Sequence, residues 1–350
     1  MRYELGDRPS VWCMRAAVFE EPGPAAVLQI VERETPPPGA DEVRVRIVLS
    51  AVNPTDTGTR AGRGVPDGVA PPRVPNQDGA GVVDAVGEGV TGLEPGDRVW
   101  VWDAGYGRVN GTAQEYVVLP RRQVVRMNED VALEIGAALG IPALTAHRCL
   151  TLASDGPARL EPGALDGRTV LVAGGAGAVG NAAIQLAKWA GATVLTTVSS
   201  KEKAALATAA GADAVIDYRE EDVVGRVREL APAGVQIVVE VSTGNLRTDL
   251  SVVAPGGNIA IYVAGEVTIP SFKAMLKNVS LDFVLTYTTS AEEKDNAVAA
   301  VAEAVNAGVF RVGEDAGLPI LRYPFERIAD AHEAVEQHAV GKVVVEVTAP

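Results

Sequence analysis

Three glycines, Gly175, Gly177 and Gly180, stand as G-x-G-x-x-G inside the stretch TVLVAGGAGAVGNAAIQLAKWAG, residues 169 to 191. The first position permits a tight turn, the second lets the backbone approach a pyrophosphate, and the third lets a helix pack on a strand. The chemistry this suits is phosphate binding by backbone N–H groups at a helix start, where Ala178 and Val179 also fall. The flanks supply the elements. An apolar β-branched run, Thr169 to Val172, precedes the turn, and apolar residues at helical spacing (Ala183, Ile184, Ala187, Ala190) follow it. A glycine-rich loop that binds nothing is the bland alternative; the strand before it and the helix after it point to a dinucleotide cradle.

The chain of 350 residues is 47% hydrophobic, enough for a large core and long enough to favour two domains. A formal net charge of −14 works against a general nucleic-acid or anionic-membrane surface. Two cysteines, Cys13 and Cys149, build neither a disulfide framework nor a four-thiolate zinc site. No window has the apolar length of a membrane span, and the charged start MRYELGDRPS lacks an apolar leader core, so the expected location is cytoplasmic. Residues 1 to about 13 read as an extension before the first strand.

From Met14 to about Asn128 short strands alternate with turns: Arg15 to Glu20, Val27 to Arg33, Val43 to Ala51, Gly81 to Val86, Asp97 to Trp102 and Ala113 to Leu119. Gly58 to Pro75 reads as a long functional or mobile loop. A helix with a break at Gly140-Ile141-Pro142 follows, then the glycine turn. After it strands alternate with helices: strands at Thr193 to Val198, Ala214 to Asp217, Gln236 to Val241, Asn258 to Val263 and Val279 to Thr286; helices at Lys201 to Ala210, Glu220 to Leu230, Leu246 to Val253, Ser271 to Lys277 and Glu292 to Asn306. Apolar strands alternating with helices predict an α/β doubly wound parallel sheet. The last strand, Lys342 to Val347, is expected to return to the β-rich part.

This order resembles the medium-chain dehydrogenase/reductase superfamily, and within it the zinc-free, zeta-crystallin-like quinone oxidoreductases. The resemblance runs from Met14 to Val347 and is carried by NPTDTGTRAG (53–62), GAGVVDAVGEGV (79–90), GDRVW (96–100), GAALGIPALTAHRCL (136–150), the glycine turn, GADAVIDYREED (211–222) and AHEAVEQHAVGKVVVEV (331–347). It implies a GroES-like catalytic domain, expected at residues 1–137 and 300–350, a Rossmann domain at 138–299, and an active site between them. It also implies a homodimer formed through the last Rossmann strands, and Val279 to Thr286 reads as an apolar edge strand that such pairing would protect.

Sites that hold NAD commonly place Asp or Glu about 20 residues past the glycines. Here the second strand leads into Ser199-Ser200-Lys201-Glu202-Lys203, with no carboxylate at its tip, and hydroxyl and ammonium groups suit the 2′-phosphate of NADP(H). The resemblance puts Lys203 and Tyr218 near that phosphate and the adenine ribose; the alternative makes Lys201 and Lys203 exposed first-turn residues. It puts Thr145 near the nicotinamide and Lys342 beside the cleft, where Lys342 contacts cofactor phosphate or simply opens the last strand in solvent. At the carboxyl end of the fifth sheet strand, Asn258 to Val263, the stretch Tyr262 to Gly265, with Tyr262, Val263 and Gly265, is expected to run along the nicotinamide edge.

The zinc branch of the superfamily uses Cys and His where this chain has Ala51 to Asp56 and Asn76-Gln77-Asp78-Gly79, so metal catalysis is not expected. His147, His332 and His338 fall on predicted helices, the last two as surface residues. Asn53 and Asp56 match polar positions of the family's cleft and are the candidate catalytic residues, although Asn53-Pro54-Thr55-Asp56 also suits a helix cap. Relatives carry tyrosines where this chain has Gly58 and Gly64, which removes an obvious proton donor and implies a wider, more mobile cleft. Trp102 and Tyr106 either wall the pocket or pack their own loop. The function implied is hydride transfer from NADPH to a quinone or enone. The alternatives are an enoyl or alkenal double-bond reductase, a non-catalytic NADPH-binding protein, and an RNA binder, the last opposed by the acidic balance.

Overall fold

Along EVRVRIVLSA, residues 42 to 51, Val43, Val45 and Ile47 are buried while Arg44 and Arg46 reach toward solvent. That period of two makes a half-buried strand the only element able to hide the valines and keep the guanidinium groups wet. The structure, a computed structural model, describes residues 12–64 and 66–349. The expected extension at residues 1 to 13 lies almost wholly outside the described residues.

The N-terminal strands are β1 (Cys13–Val18), β2 (Gln29–Glu34), β3 (Glu42–Ala51), β4 (Asp78–Val86), β5 (Arg98–Val101), β6 (Tyr116–Pro120) and β7 (Val124–Arg126), with helix α1 (Pro54–Arg60) between β3 and β4. Then come α2 (Leu133–Thr151), β8 (Thr169–Ala173), α3 (Ala178–Trp189), β9 (Thr193–Val198), α4 (Lys201–Ala209), β10 (Ala214–Asp217), α5 (Val223–Leu230), β11 (Val235–Glu240), α6 (Leu246–Val252), β12 (Val253–Ile261), α7 (Ser271–Met275), β13 (Ser280–Phe283) and α8 (Ala291–Asn306). The tail holds β14 (Ile320–Pro324), α9 (Ile328–Glu336) and β15 (Lys342–Glu346).

The second group forms a parallel six-stranded sheet in the order β10-β9-β8-β11-β12-β13, the doubly wound Rossmann topology with its switch point between β8 and β11. Ile216, Val238, Ile259 and Leu171 on the strands and Val227, Leu246 and Leu250 on the helices share one apolar cluster, which is what pins the helices to that face. The first group forms a seven-stranded sheet in the order β14-β15-β3-β4-β5-β7, with β6 also paired to β3, and a separate β1–β2 hairpin. The tail thus returns to the β-rich sheet.

Packing divides the chain into a β-rich unit, residues through Arg126 with Arg322–Gln337 and from Val344, and a nucleotide unit, Met127–Leu321 with His338–Val343. The expected divisions were at 137/138 and 299/300. Both of those positions fall inside helices, α2 and α8, whose buried residues (Ala137, Ala138, Ala300, Val301, Ala304) tie each helix along its length to one unit.

Helix α2 departs from helical geometry at Gly140 (φ −11, ψ −108), two residues before Pro142. The break expected from Gly-Ile-Pro is a kink, since proline lacks the N–H and crowds the preceding turn. The loop expected from Gly58 begins only after α1 ends at Arg60, and its far half is tied down. Arg73 binds Asp67 and the carbonyls of Val69, Gly105 and Arg108.

Candidate cofactor and active site

Helix α3 opens at Ala178 with Gly177 as its cap residue, so the N–H groups of Ala178, Val179 and Gly180 head the helix, where no intrahelical acceptor exists. The three glycines have different spatial reasons. A Cβ at Gly175 would lie 2.2 Å from Thr196 Oγ1 and 2.9 Å from Ile184 Cδ1, and one at Gly180 would lie 2.3 Å from the Gly174 carbonyl oxygen. At Gly177 a Cβ would meet only the Gly174 carbonyl, at 3.4 Å. Positions 175 and 180 therefore serve close packing, whereas a side chain at 177 would meet only one neighbouring atom within 4 Å. Gly174 completes the turn with φ +71, the left-handed region that favours glycine. Gly174 and Thr196 went unnoticed in the sequence, because Gly174 lies one residue outside the motif and Thr196 acts through space.

The tip of β9 is joined to this turn, because the N–H groups of Gly174 and Gly175 both donate to the Thr197 carbonyl, at 3.0 and 3.3 Å. Ser200 caps α4 by accepting from the Lys203 N–H at 3.3 Å. Lys203 Nζ donates to Ser199 Oγ at 3.1 Å, and the Tyr218 N–H donates to the Val198 carbonyl at 3.1 Å. Ser199, Ser200, Lys203 and the exposed Tyr218 are thus one cluster beside the glycine turn. The nearest acid in register, Asp217 opposite Val198, accepts the Arg219 N–H instead.

β12 ends at Ile261, two residues before the expected end at Val263, so Tyr262, Val263 and Gly265 follow its carboxyl end. The Tyr262 N–H donates to the Glu240 carbonyl at 3.2 Å. Burial, then the charges of Cys149 and Glu240, push the Tyr262 phenol above its ordinary value, which makes it a poorer acid. Burial pushes the Cys149 thiol up to about 12, so it is inert packing. Thr145 Oγ1 lies 2.6 Å from Thr286 Oγ1, both buried in the nucleotide unit. Glu240, unnoticed in the sequence, ends β11 and accepts from the Ser242 N–H and Asn245 Nδ2. Burial raises its carboxyl and that of Asp249, Asp249 further through the charge of Glu240. Lys342 is only 2% exposed, which corrects the reading of a solvated lysine opening the last strand.

In the β-rich unit α1 starts as proline at its first turn predicts: Asn53 caps it, and the reciprocal Asn53–Asp56 capping box is present. The Asn53 N–H donates to Asp56 Oδ2 and Asn53 Nδ2 donates to Asp78 Oδ2, both at 2.7 Å, with all three residues buried. The two readings of this motif are compatible: Asp56 caps the helix and holds Asn53. Gly64 lies against the Thr59 backbone, with a Cβ there 2.4 Å from Thr59 Cα, so position 64 has no room for a side chain. A Cβ at Gly58, by contrast, would meet only ordinary contacts, at 3.6 Å or more. Trp102 is buried beneath the Arg122 guanidinium, 5.7 Å from its ring centre, while Tyr106 is only partly buried.

His332, expected on the surface, is fully buried, because α9 lies against the β-rich unit and carries it inward to Asn76. His338 is exposed and lies past the end of α9 with φ +60. His147 is buried and accepts the Leu160 N–H. Among the described residues no group of three or more His, Cys, Asp or Glu is placed to hold a metal ion, and no helix is long and apolar enough to cross a membrane.

Residues 39–129 match the alcohol dehydrogenase GroES-like domain, and residues 178–303 match the family model described as zinc-binding dehydrogenase. Neither stretch contains a cysteine or histidine, so the zinc of that description does not fit the donors present. The chain is 30% identical over 340 residues to a quinone oxidoreductase of Lama guanicoe, covering 95% of this chain and 97% of the relative. It is 30% identical over 340 residues to a chloroplastic NADPH-dependent alkenal/one oxidoreductase of Arabidopsis thaliana, covering 95% and 79%. A mycobacterial protein solved in complex with NADPH superposes with a TM-score of 0.78 at 32% identity, covering 95% of this chain and 99% of that one. With a GroES-like unit, a Rossmann unit with a glycine-rich turn between β8 and α3, and relatives along nearly the whole length, the chain belongs to the medium-chain dehydrogenase/reductase family of nicotinamide-dinucleotide oxidoreductases.

Proposed function

We propose that this oxidoreductase transfers hydride from NADPH to a quinone or related conjugated carbonyl, without zinc. The observation that carries this reading is the buried Asn53–Asp56–Asp78 set, which offers hydrogen bonds where a metal-dependent relative needs thiolate and imidazole. NADPH supplies the hydride. The N–H groups of Ala178, Val179 and Gly180 hold the pyrophosphate. Lys203, with Ser199 and Ser200, receives the 2′-phosphate, Tyr218 borders the adenine ribose, and Lys342 lends charge to the cofactor phosphates. Thr145, Tyr262, Val263 and Gly265 line the nicotinamide. Asn53 presents its side chain to the acceptor oxygen while Asp56 and Asp78 fix its orientation.

A panel of quinones and enones assayed with NADPH tests the reading. Turnover of quinones supports it; tight NADPH binding with no turnover of either class overturns it in favour of a non-catalytic binder. Similarity to the alkenal/one oxidoreductase of Arabidopsis thaliana favours a second reading, double-bond reduction, which turnover of enones without quinones would select.

The same proposal includes a homodimer. β13 is the edge of the nucleotide sheet and carries the exposed Phe283, and α7 just before it in the chain carries exposed Phe272 and Met275, with exposed Leu276 following. A bare apolar edge is covered most directly by its own copy. Light scattering on the wild type and on Phe283→Lys should give a dimer and a monomer; a monomeric wild type rejects it.

A further inference from the structure

A line of buried hydrogen bonds joins the tail helix α9 to Asn53. His332 Nε2 lies 3.1 Å from Asn76 Oδ1, and Asn76 Nδ2 donates to Ser50 Oγ at 2.9 Å. Ser50 Oγ lies 2.7 Å from Thr112 Oγ1, which donates to the Asp78 carbonyl at 2.7 Å. Asp78 Oδ2 in turn accepts from Asn53 Nδ2 at 2.7 Å. All six residues are at most 3% exposed.

The direction of every link follows from its neighbour. Thr112 has one hydroxyl proton and gives it to the Asp78 carbonyl, so Ser50 donates to Thr112 and accepts from Asn76. That leaves Asn76 Oδ1 as acceptor, and His332 must present Nε2–H. Burial, with Arg60 nearby, pushes the His332 ring down to about 3, so it stays neutral with one N–H to give. The carboxamide of Asn76 interrupts any proton relay, so the line orients groups rather than conducting protons.

The backbone is committed to the same arrangement. Asn76 has φ +74, a left-handed conformation that a non-glycine residue holds only when its surroundings over-determine it. Its carbonyl accepts the Thr112 N–H at 2.8 Å. Beside Asp78, a Cβ on Gly79 would lie 3.2 Å from Thr112 Cβ and 3.0 Å from the Leu49 carbonyl, so the close approach of Thr112 depends on glycine there.

We propose that His332 is a positioning residue for acceptor reduction, acting through Asn76, Ser50 and Thr112 to hold the Asp78–Asn53 pair in one orientation. The inference rests on the reading of Asn53 as the group that meets the acceptor. A satisfied polar network of this kind specifies one geometry, and a neutral donor lost from it leaves the next residue free to turn. Small displacements of a positioning group are costly in rate.

The test uses the full-length protein with NADPH and 1,4-naphthoquinone. Thr112→Val, Ser50→Ala and His332→Leu should each lower kcat about tenfold while the KM for NADPH stays within about twofold. Thr112→Ser and His332→Gln, which restore a donor at the same place, should recover kcat to within about threefold of wild type. Combined with Asn53→Ala, none of the three should lower kcat further, because residues acting as a unit are not additive. An unchanged kcat, or losses that multiply with that of Asn53→Ala, overturns the inference. If Asn53→Ala itself leaves kcat intact, the reading of Asn53 is what fails. Should His332→Leu not fold, Thr112→Val and Ser50→Ala decide the question, being smaller changes.

Discussion

Arg73 holds Asp67 with both guanidinium Nη atoms, at 3.0 and 2.7 Å, and their side chains are 7% and 6% exposed. The same guanidinium binds the carbonyls of Gly105 and Arg108, and Asp67 accepts the N–H groups of Val69 and Gly107. One buried ion pair therefore fastens residues 67–73 to the turn at 105–108. Breaking such a pair by removing one partner costs about 3–5 kcal/mol, because the other charge is left buried. Asp67→Ala is expected to lower the urea midpoint by that amount of stability, and Arg73→Leu with Asp67→Leu together should recover much of it. Equal midpoints for wild type and Asp67→Ala would reject the clamp.

The glycine turn separates folding from binding. Gly175→Ala drives a Cβ into Thr196 and Ile184 and is expected to cost about 1–3 kcal/mol in stability. Gly177→Ala meets nothing closer than 3.4 Å, so its melting temperature should match wild type while, if the proposed pyrophosphate site is right, its affinity for NADPH drops because the methyl enters that site. Thermal unfolding and a cofactor titration on both variants check this; undiminished binding by Gly177→Ala would move the phosphate elsewhere.

Lys203 reaches Ser199 rather than an acid, so its charge is available to a 2′-phosphate. Lys203→Ala should raise the Kd for NADPH about tenfold and leave NADH within about twofold, a difference of about 1.4 kcal/mol in binding. Equal affinity of the wild type for the two cofactors would refute the assignment of this cluster.

Two buried histidines set an acid limit. Burial, with Arg148 and Arg159 nearby, pushes His147 down to about 4, and burial with Arg60 pushes His332 to about 3, whereas both titrate near 6.5 once unfolded. The native state is then favoured in full above pH 6.5. Below it the unfolded chain binds protons that these two folded rings refuse, so the contribution of each histidine falls as pH drops toward 4, by roughly tenfold in the folding constant per pH unit. Because the raised Glu240 and Asp249 carboxyls act in the opposite sense over the same range, the test is a difference: from pH 7 to 4.5 His147→Gln should lose less stability to urea than the wild type, and equal pH slopes would contradict the burial of that ring.

Local pattern was enough for most of the elements and for the local geometry of the candidate site. Strands β9 and β10 fall where β-branched runs put them, the Gly-Ile-Pro break is a kink, and the glycine motif, the Ser199–Lys203 segment and the Asn-Pro cap stand in the chain order that their chemistry requires. These are short-range consequences of turn sterics, helix capping and period, which neighbouring residues carry among themselves. What only the tertiary structure decided involves residues far apart in the chain. Asp78 meets Asn53 across 25 positions and His332 meets Asn76 across 256, pairings that no periodicity records. The sequence places His332 on a helix as a surface residue and leaves Lys342 as a solvated residue opening a strand. Both are buried, since burial is settled by what a folded chain lays on top of a residue rather than by the residues beside it.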